Sequence, residues 1–265
     1  MYISKDNLIN GYNEYISLDS PNGKLALMDV GLLILDAGEQ FLFDEKEKEI
    51  AVLLIEGSVI FTWETSSADS KRENPFDHKA WCLHAPGGMK CGVKAIEHSE
   101  LYIQKTLNNK QFESKMYTPG DIRTQKAGAD GELNGTVRRN IRTIFDYDIA
   151  PHSNMVLGET INFPGRWSSY PPHHHPQPEV YYFRYDKPQG FGIGFANGKV
   201  YETRHNGLLL ITGKCHSQAA APGYALIYIW GIRHLDGNPW IRTRIDDAEH
   251  TWLLENDPVV WHEKE

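Results

Sequence analysis

Residues 168–183 read SSYPPHHHPQPEVYYF, and this stretch decides the fold class because it combines strand-like runs with metal-ligating residue types. Side chains of a β-strand alternate between its two faces, so His173 and His175 share one face, with Cα atoms roughly 7 Å apart, while His174 faces away. Glu179 follows a Pro-rich bend and begins an apolar, aromatic run that is typical of a second strand. The bend can return the carboxylate to the two imidazoles. The stretch therefore predicts a three-ligand metal site; the alternative for a bare run of His is a solvated loop.

The spacing His-x-His-x3-Glu resembles the first motif of the cupin barrels, whose fourth ligand is a His in a later Pro-x-Gly-x2-His segment. Residues 211–216 read ITGKCH, which lies at a suitable distance and has Ile in place of the Pro. The resemblance implies His216 as the fourth ligand beside His173, His175 and Glu179. Three imidazoles and one carboxylate suit Zn, Mn, Fe, Co and Ni alike, so we predict one divalent transition metal without selecting among them.

The composition disfavours several classes of partner. The chain has 265 residues and a formal net charge of −8 at pH 7, which argues against nucleic acid and anionic membranes. A small anionic substrate remains compatible if local Arg and Lys side chains offset this charge. The apolar runs are too short to span a bilayer, no signal peptide is visible, and three cysteines form no closed disulfide set, so a cytoplasmic location is expected. The composition leaves open whether the chain forms a homo-oligomer.

Short strand-like runs recur along the whole chain between Gly-, Pro- and Asn-rich turns, and helical periodicity is nearly absent. This pattern predicts an all-β sandwich or barrel. A weak internal repeat predicts a bicupin of two jelly-roll β-barrels, residues 1–125 and 126–265, with the metal site in the C-terminal barrel. In the first copy Phe43, Glu45 and Cys91 stand at the places of the metal ligands, so we expect no metal there.

The repeat also aligns the starts of two strands. Glu49 precedes the apolar run Ile50–Ile55, as Glu179 precedes the aromatic run of the second copy. His78 and His84 lie nearby in the first copy, and we expect both to be ordinary surface or loop residues. The alignment therefore predicts a first barrel that shares the layout of the second but lacks its ligands.

The second half carries several further segments with a common likeness. They are Gly158–Thr160, Gly165–His175, Glu179–Phe183, Ala220–Tyr224 and His250–Trp252. Together they resemble the 5-deoxy-glucuronate isomerases of myo-inositol catabolism, most specifically in the run Trp-Ser-Ser-Tyr-Pro-Pro-His. The resemblance implies a bicupin with one metal in its second barrel. It also implies an aldose–ketose isomerisation, from 5-deoxy-glucuronate to 2-deoxy-5-keto-gluconate.

The chain departs from the family's pattern around the second His of the motif. Family members usually carry Lys and Asp there and a longer acidic insertion before the Glu, whereas this chain has His174 and then PQP at 176–178. Loops at the mouth of a barrel tend to set specificity. We therefore expect the shortened loop to affect substrate preference more than metal binding.

An isomerase also needs side chains that move a proton and hold the substrate. Strand alternation places Tyr181 on the ligand face, as a candidate pocket hydroxyl or as barrel packing. Glu159, in the strand before the motif, is a candidate general base or a structural carboxylate paired with an Arg. Arg166 is the leading candidate to bind a substrate carboxylate, with Arg184 and Arg233 behind it, and a surface role is the alternative.

Three other functions fit the same sequence. A related isomerase of pectin-derived keto-uronates shares much of the motif and differs in substrate. A cupin dioxygenase would bind Fe(II) with the same ligands, and metal analysis with oxygen uptake distinguishes it. A sugar-sensing binding module is the non-enzymatic alternative, although no DNA-binding helix or basic patch accompanies the predicted barrels.

Overall fold

The structure is a computed structural model, and it describes residues 1–5, 7–129, 131–261 and 263. Its strands are β1 Tyr2–Ile3, β2 Gly11–Ile16, β3 Asp29–Leu35, β4 Gln40–Asp44, β5 Lys48–Trp63, β6 Ser66–Arg72, β7 Trp81–Ala85, β8 Lys90–Ala95, β9 Ser99–Leu107, β10 Lys115–Tyr117, β11 Arg123–Ala127, β12 Arg139–Phe145, β13 Met155–Asn162, β14 Trp167–His174, β15 Glu179–Tyr185, β16 Phe191–Ala196, β17 Lys199–Arg204, β18 Leu208–Ile211, β19 His216–Ala220, β20 Leu226–Arg233 and β21 Ile245–Asp246. The described residues add a short α-helix, Pro21–Ala26, and 3-10 helices at Glu132–Gly135 and Ala248–Leu254. The predicted all-β class is confirmed. None of the described helices is long and apolar enough to cross a membrane.

The N-terminal strands form a 9-stranded sheet system organised by the long strand β5. The first half of β5 pairs with β7 and β9, and its second half pairs with β6 and β8. The change of partners occurs at Gly57, which has a φ of 109° and follows a register shift against β9. A Cβ atom at this position would lie 2.3 Å from Ser99 Oγ, so the bend requires glycine. One strand therefore contributes to both walls of the N-terminal half.

The C-terminal strands form two sheets, which we call the C-terminal sheet pair. The larger sheet has the order β1-β18-β15-β20-β13-β12-β11, and the smaller sheet has the order β17-β16-β19-β14-β21. The smaller sheet carries His173 at the end of β14, and the larger sheet carries Glu179 at the start of β15. The short bend between these strands therefore joins the two sheets and brings the His motif next to the carboxylate.

The division in strand pairing lies slightly before the predicted boundary. β10 pairs with β7 of the N-terminal half, whereas β11 pairs with β12 of the larger C-terminal sheet along its whole length. The predicted division between residues 125 and 126 falls inside β11. The first strand also crosses over, because β1 pairs with β18. The two halves are thus tied together at both ends of the N-terminal segment.

The two halves pack through a shared apolar layer. Alternate residues of β15 face opposite sides: Tyr181 and Phe183 join the interior of the C-terminal sheet pair, whereas Val180 and Tyr182 join the layer between the halves. From the N-terminal half, Leu53 of β5 packs into the same layer. Both faces of β15 are therefore buried, which explains why its sequence is an unbroken apolar and aromatic run.

Candidate metal centre

Three of the predicted ligand residues converge at one end of the C-terminal interior. His175 lies just after β14, Glu179 begins β15, and His216 begins β19. His175 Nε2 lies 3.2 Å from Glu179 Oε2, and His216 Nε2 lies 3.3 Å from the same oxygen. The three side chains are buried, and their donor atoms all lie within 4.8 Å of one another. They form a group of two imidazoles and one carboxylate that could hold a metal ion.

The hydrogen bond of His175 turns the lone pair of this ring towards the carboxylate of Glu179. His175 Nδ1 lies 2.9 Å from the Gln177 carbonyl oxygen, and since a carbonyl only accepts, we assign the proton to Nδ1 and the lone pair to Nε2. His216 is 1% exposed, and its Nε2 makes no hydrogen bond within the described chain. The His175 Nε2 lone pair, facing a carboxylate at this distance, is repelled by it unless a cation lies between them. The arrangement therefore fits a divalent transition metal.

His173 stands beside this group. It pairs with His216 across β14 and β19, and the centroids of the two rings lie 4.5 Å apart. Burial lowers the pKa of both imidazoles to about 3, so both are neutral at physiological pH, as metal ligation requires. His173 Nδ1 lies 3.3 Å from the Pro171 carbonyl oxygen, which leaves Nε2 for the group. His174 faces the other way, where its Nδ1 lies 3.6 Å from Cys215 Sγ.

A pocket of about 330 Å³ opens beside the group, and His173, His175 and Glu179 line it. Tyr181 also lines this pocket, as its place on the ligand face of β15 predicts. Its hydroxyl lies 3.2 Å from Ser169 Oγ. Burial raises the pKa of Tyr181 well above its usual value, so the phenol stays protonated and can donate a hydrogen bond.

Three arginines line the same pocket: Arg139, Arg242 and Arg244. Arg242 and Arg244 each pair with neighbouring aspartates. Arg139 forms no ion pair with any described residue, and its Nη1 donates to the Val137 carbonyl at 2.8 Å. Burial lowers the pKa of Arg139, as expected for a cation that loses water without gaining a counter-ion. The pocket therefore presents an uncompensated guanidinium.

Sequence reasoning did not single out Arg139. It lies on β12, and the pairing of β12 with β13 sets Arg139, Ile141 and Thr143 on one face, all three in the pocket lining. Their spacing of two residues could have shown from the sequence that these three side chains share one face of a strand. Which face of β12 meets the pocket, however, depends on the sheet order, in which two strands, β20 and β13, lie between β15 and β12.

Glu159 does not reach the pocket. On β13 the neighbouring residue Thr160 lines the pocket, whereas Glu159 faces the N-terminal half and is fully buried. It accepts hydrogen bonds from Arg72 Nη2 at 2.8 and 2.9 Å and from Arg142 Nη1 at 2.9 Å. Held by two guanidiniums on the face of its strand away from the pocket, Glu159 matches the structural alternative of a carboxylate paired with an Arg. Its candidate role as the general base stays a prediction.

The arginines expected to bind a carboxylate also lie outside the pocket lining. Arg184 lies on the face of β15 that meets the N-terminal half, where it pairs with Glu56 and Glu100. Arg166 lies in the turn before β14 and is not among the described residues that line the pocket. Arg233, at the end of β20, lines a different cavity. Nearness to the motif in sequence was a poor guide, because a step of one residue along a strand reverses the face.

Comparison with known proteins identifies related enzymes. A family model described as the KduI/IolB family matches residues 2–253. The 5-deoxy-glucuronate isomerase of Bacillus subtilis (strain 168) is 23% identical over 266 residues, which cover 93% of this chain and 94% of that protein. The 4-deoxy-L-threo-5-hexosulose-uronate ketol-isomerase of Bacteroides fragilis is 26% identical over 149 residues, which cover 54% of this chain and 52% of that protein.

Solved structures share the fold. An IolB-like protein from Salmonella typhimurium LT2 superposes with a TM-score of 0.84 at 18% identity, covering 96% of this chain and 99% of that chain. The oxalate decarboxylase of Lactobacillus farciminis, in a formate complex, superposes with a TM-score of 0.65 at 12% identity, covering 91% of this chain and 85% of that chain. At these identities the likeness shows the fold alone, and it confirms the predicted cupin class. Because the family model spans nearly the whole length, the chain belongs to the KduI/IolB family.

Proposed function

We propose that the protein is a metal-dependent aldose–ketose isomerase that converts 5-deoxy-glucuronate to 2-deoxy-5-keto-gluconate. The observation that carries this proposal is the convergence of His175, Glu179 and His216, beside His173, on a pocket that also holds the unpaired cation Arg139. Such a site offers a metal to the carbonyl end of a sugar acid and a positive charge to its carboxylate. Relatives named 5-deoxy-glucuronate isomerase, 22% and 23% identical over 93% of this chain, support the same reaction.

The reaction moves hydrogen between neighbouring carbons and leaves the overall oxidation state unchanged. The aldehyde becomes a CH2OH group and the adjacent CHOH becomes a ketone, so one C–H proton is removed and one is returned to the neighbouring carbon. A divalent metal held by His173, His175, Glu179 and His216 would supply a Lewis acid for the substrate's oxygen atoms. The reaction therefore balances without an external oxidant or reductant.

Side chains of the pocket orient the substrate. The planar guanidinium of Arg139 presents paired N–H groups to the substrate's carboxylate, a geometry that Lys does not offer. The protonated Tyr181 hydroxyl can donate to a substrate oxygen that gains negative charge as the C–H proton leaves. The ring centroids of Trp230 and Trp240 lie 6.1 Å apart in the pocket wall, where the two rings offer an apolar surface to the substrate's carbon chain.

The direct test is an assay on 5-deoxy-glucuronate with purified protein loaded in turn with Zn, Mn, Fe(II), Co or Ni. We expect 2-deoxy-5-keto-gluconate as the product, close to one transition metal per chain by elemental analysis, and loss of turnover after chelation. Absence of turnover with every metal, or full turnover by metal-free protein, would contradict the proposal. Oxygen uptake in the same assay would instead indicate a dioxygenase.

A relative supports a second candidate substrate, 4-deoxy-L-threo-5-hexosulose-uronate. The ketol-isomerase of Bacteroides fragilis that is named for it is 26% identical over 54% of this chain. Both substrates are sugar acids with a carboxylate, so the chemistry of the pocket suits either one. Values of kcat/KM on both decide between them, and a preference above about tenfold for the second would replace the first assignment.

A further inference from the structure

A second cavity, of about 1010 Å³, lies at the seam between the two halves. Its walls come from the turn before β5, the segment after β9 and the segment that follows β20. Neighbouring residues at the end of β20 line different cavities, because Ile232 faces the metal-centre pocket and Arg233 faces the seam. The two cavities are therefore separate sites on opposite faces of one strand.

Three cationic side chains line the seam cavity, and none of them forms a direct ion pair with a described residue. The Arg233 Nε donates to Thr106 Oγ1 at 2.8 Å, and its guanidinium forms no ion pair with the residues that the structure describes. Lys110 Nζ donates to the Pro151 carbonyl at 3.4 Å, and it too has no carboxylate partner in the described chain. Lys46 is a third cation in the lining. The lining thus contains more cationic than anionic side chains, although the chain as a whole has a net charge of −8.

Carboxylates near the cavity offset these cations only in part. Glu47 and Asp236 line the cavity and are exposed, as Lys46 and Lys110 are, so water screens all four charges. Glu49 lies beneath the cavity, and its oxygens already accept hydrogen bonds from the Asn154 backbone N–H at 2.6 Å and Ser153 Oγ at 3.0 Å. Arg233 Nη1 also donates to the His234 carbonyl, so the donors left for a ligand are Arg233 Nη2 and the remaining N–H groups of Lys110.

A buried ring nitrogen in the cavity wall also lacks a partner. His234 is 4% exposed, and its Nδ1 accepts a hydrogen bond from the Trp240 backbone N–H at 2.9 Å. A ring nitrogen that accepts carries no proton, so the neutral imidazole has its N–H at Nε2. That N–H has no hydrogen-bond partner among the described residues. A buried donor of this kind is stabilised by a ligand that accepts from it.

We propose that the seam cavity is a second binding site, which takes a small anion bearing a phosphate or carboxylate group. Arg233 and Lys110 supply charge-assisted hydrogen bonds, and the His234 Nε2–H supplies a neutral one. The site is distinct from the proposed isomerase centre and does not depend on that assignment.

The seam site shares a wall with the metal centre. The segment that follows His234 reaches Asn238, whose carbonyl accepts from Gln177 Nε2 at 2.9 Å, and the Gln177 carbonyl orients the ring of His175. The Trp240 ring lies 6.3 Å from the same imidazole. An anion that fixes this segment is therefore expected to slow the removal of the metal by a chelator.

The test is a calorimetric titration of the metal-loaded protein with inorganic phosphate and, separately, with D-gluconate. Lys110→Gln and Arg233→Gln should each weaken binding by about tenfold, because each removes a charge-assisted contact. Lys110 is exposed, so its variant should fold even if the variant of Arg233 does not. Arg166→Gln removes one charge away from the cavity and should bind as the wild type does. Tighter binding of phosphate than of gluconate identifies a phosphate ligand. Tighter binding of gluconate identifies a carboxylate ligand.

Three results would overturn the site: no binding of either probe at millimolar concentration, equal affinity in Lys110→Gln and wild type, or binding that is lost in Arg139→Gln and kept in Lys110→Gln. The last result would place the anion in the metal-centre pocket. Bound phosphate that leaves the rate of metal release to a chelator unchanged would overturn the coupling between the two sites.

Discussion

One cross-strand pair in each half of the molecule shows how the linings of the two interiors differ in chemistry. In the C-terminal half His173 pairs with His216 across β14 and β19, whereas in the N-terminal half Phe43 pairs with Cys91 across β4 and β8. Cys91 belongs to an apolar cluster, while His216 contacts a carboxylate. The fold supplies matched positions in both halves, and the residue types at these positions decide whether they pack or ligate.

A second pair of positions shows how easily such a match is misread. The sequence repeat aligns Glu49 with Glu179, but Glu49 faces the seam between the halves, where its Oε2 lies 3.0 Å from His84 Nε2. His84, expected at the surface, is fully buried and its ring stacks on Phe145 with centroids 4.4 Å apart. The inward-facing residue of β5 is Ile50, one position later. An offset of one residue thus exchanges a ligand position for a structural one.

The largest contrast between the halves should come from truncating the matched residues His216 and Cys91. His216→Ala removes an imidazole from the ligand group and should lower kcat/KM by at least roughly a hundredfold, because the charge stabilisation that the metal supplies is lost with it. Cys91→Ala should keep both metal and turnover. Metal content and kcat/KM of the two variants measure the contrast, and full metal with full turnover in His216→Ala would remove this residue from the ligand set.

Breaking the buried ion pair between the halves should have the next largest effect. Glu159→Gln leaves the guanidiniums of Arg72 and Arg142 buried without their counter-ion, so the free energy of unfolding should fall by about 3–5 kcal/mol. Urea titration measures this loss, and kcat of the folded variant should stay close to that of the wild type.

The matched control is Glu97→Gln, which breaks an exposed pair with Lys71 and should change stability by less than about 1 kcal/mol. If Glu159→Gln kept its stability and lost turnover, the carboxylate would act as the catalytic base after all.

These contrasts also show what the sequence can and cannot predict. The ligand spacing His-x-His-x3-Glu is local, so strand alternation and one bend suffice to bring His175 next to Glu179. The role of Glu159 depends on Arg72, which lies 87 positions away in the other half. The place of Arg139 depends likewise on the order of strands in the larger sheet. Contacts of this kind require the sheet order and the packing of the two halves, which no local pattern encodes.

Within the C-terminal half, Arg139→Gln should lower kcat/KM on the charged substrate far more than on a neutral analogue. Loss of a charge-assisted pair costs about 1.5–3 kcal/mol, so kcat/KM on the uronate should fall roughly tenfold to hundredfold. The loss on an analogue whose carboxylate is an amide should be much smaller. Arg139→Lys keeps the charge but not the planar fork and should lie between these values. An equal loss on both substrates would show that Arg139 acts through the structure of the pocket.

The smallest effect is expected at Arg166, the arginine that most closely precedes the metal motif in sequence. Because it lies outside the pocket lining, Arg166→Gln should change kcat/KM on the uronate by no more than about twofold, the size of an ordinary surface substitution. Measured beside Arg139→Gln on the same two substrates, it tests whether position on β12 or nearness to the motif determines which arginine binds the acid. A tenfold loss on the uronate alone in Arg166→Gln, with Arg139→Gln unaffected, would mean that the turn before β14 contacts the substrate and that Arg139 does not.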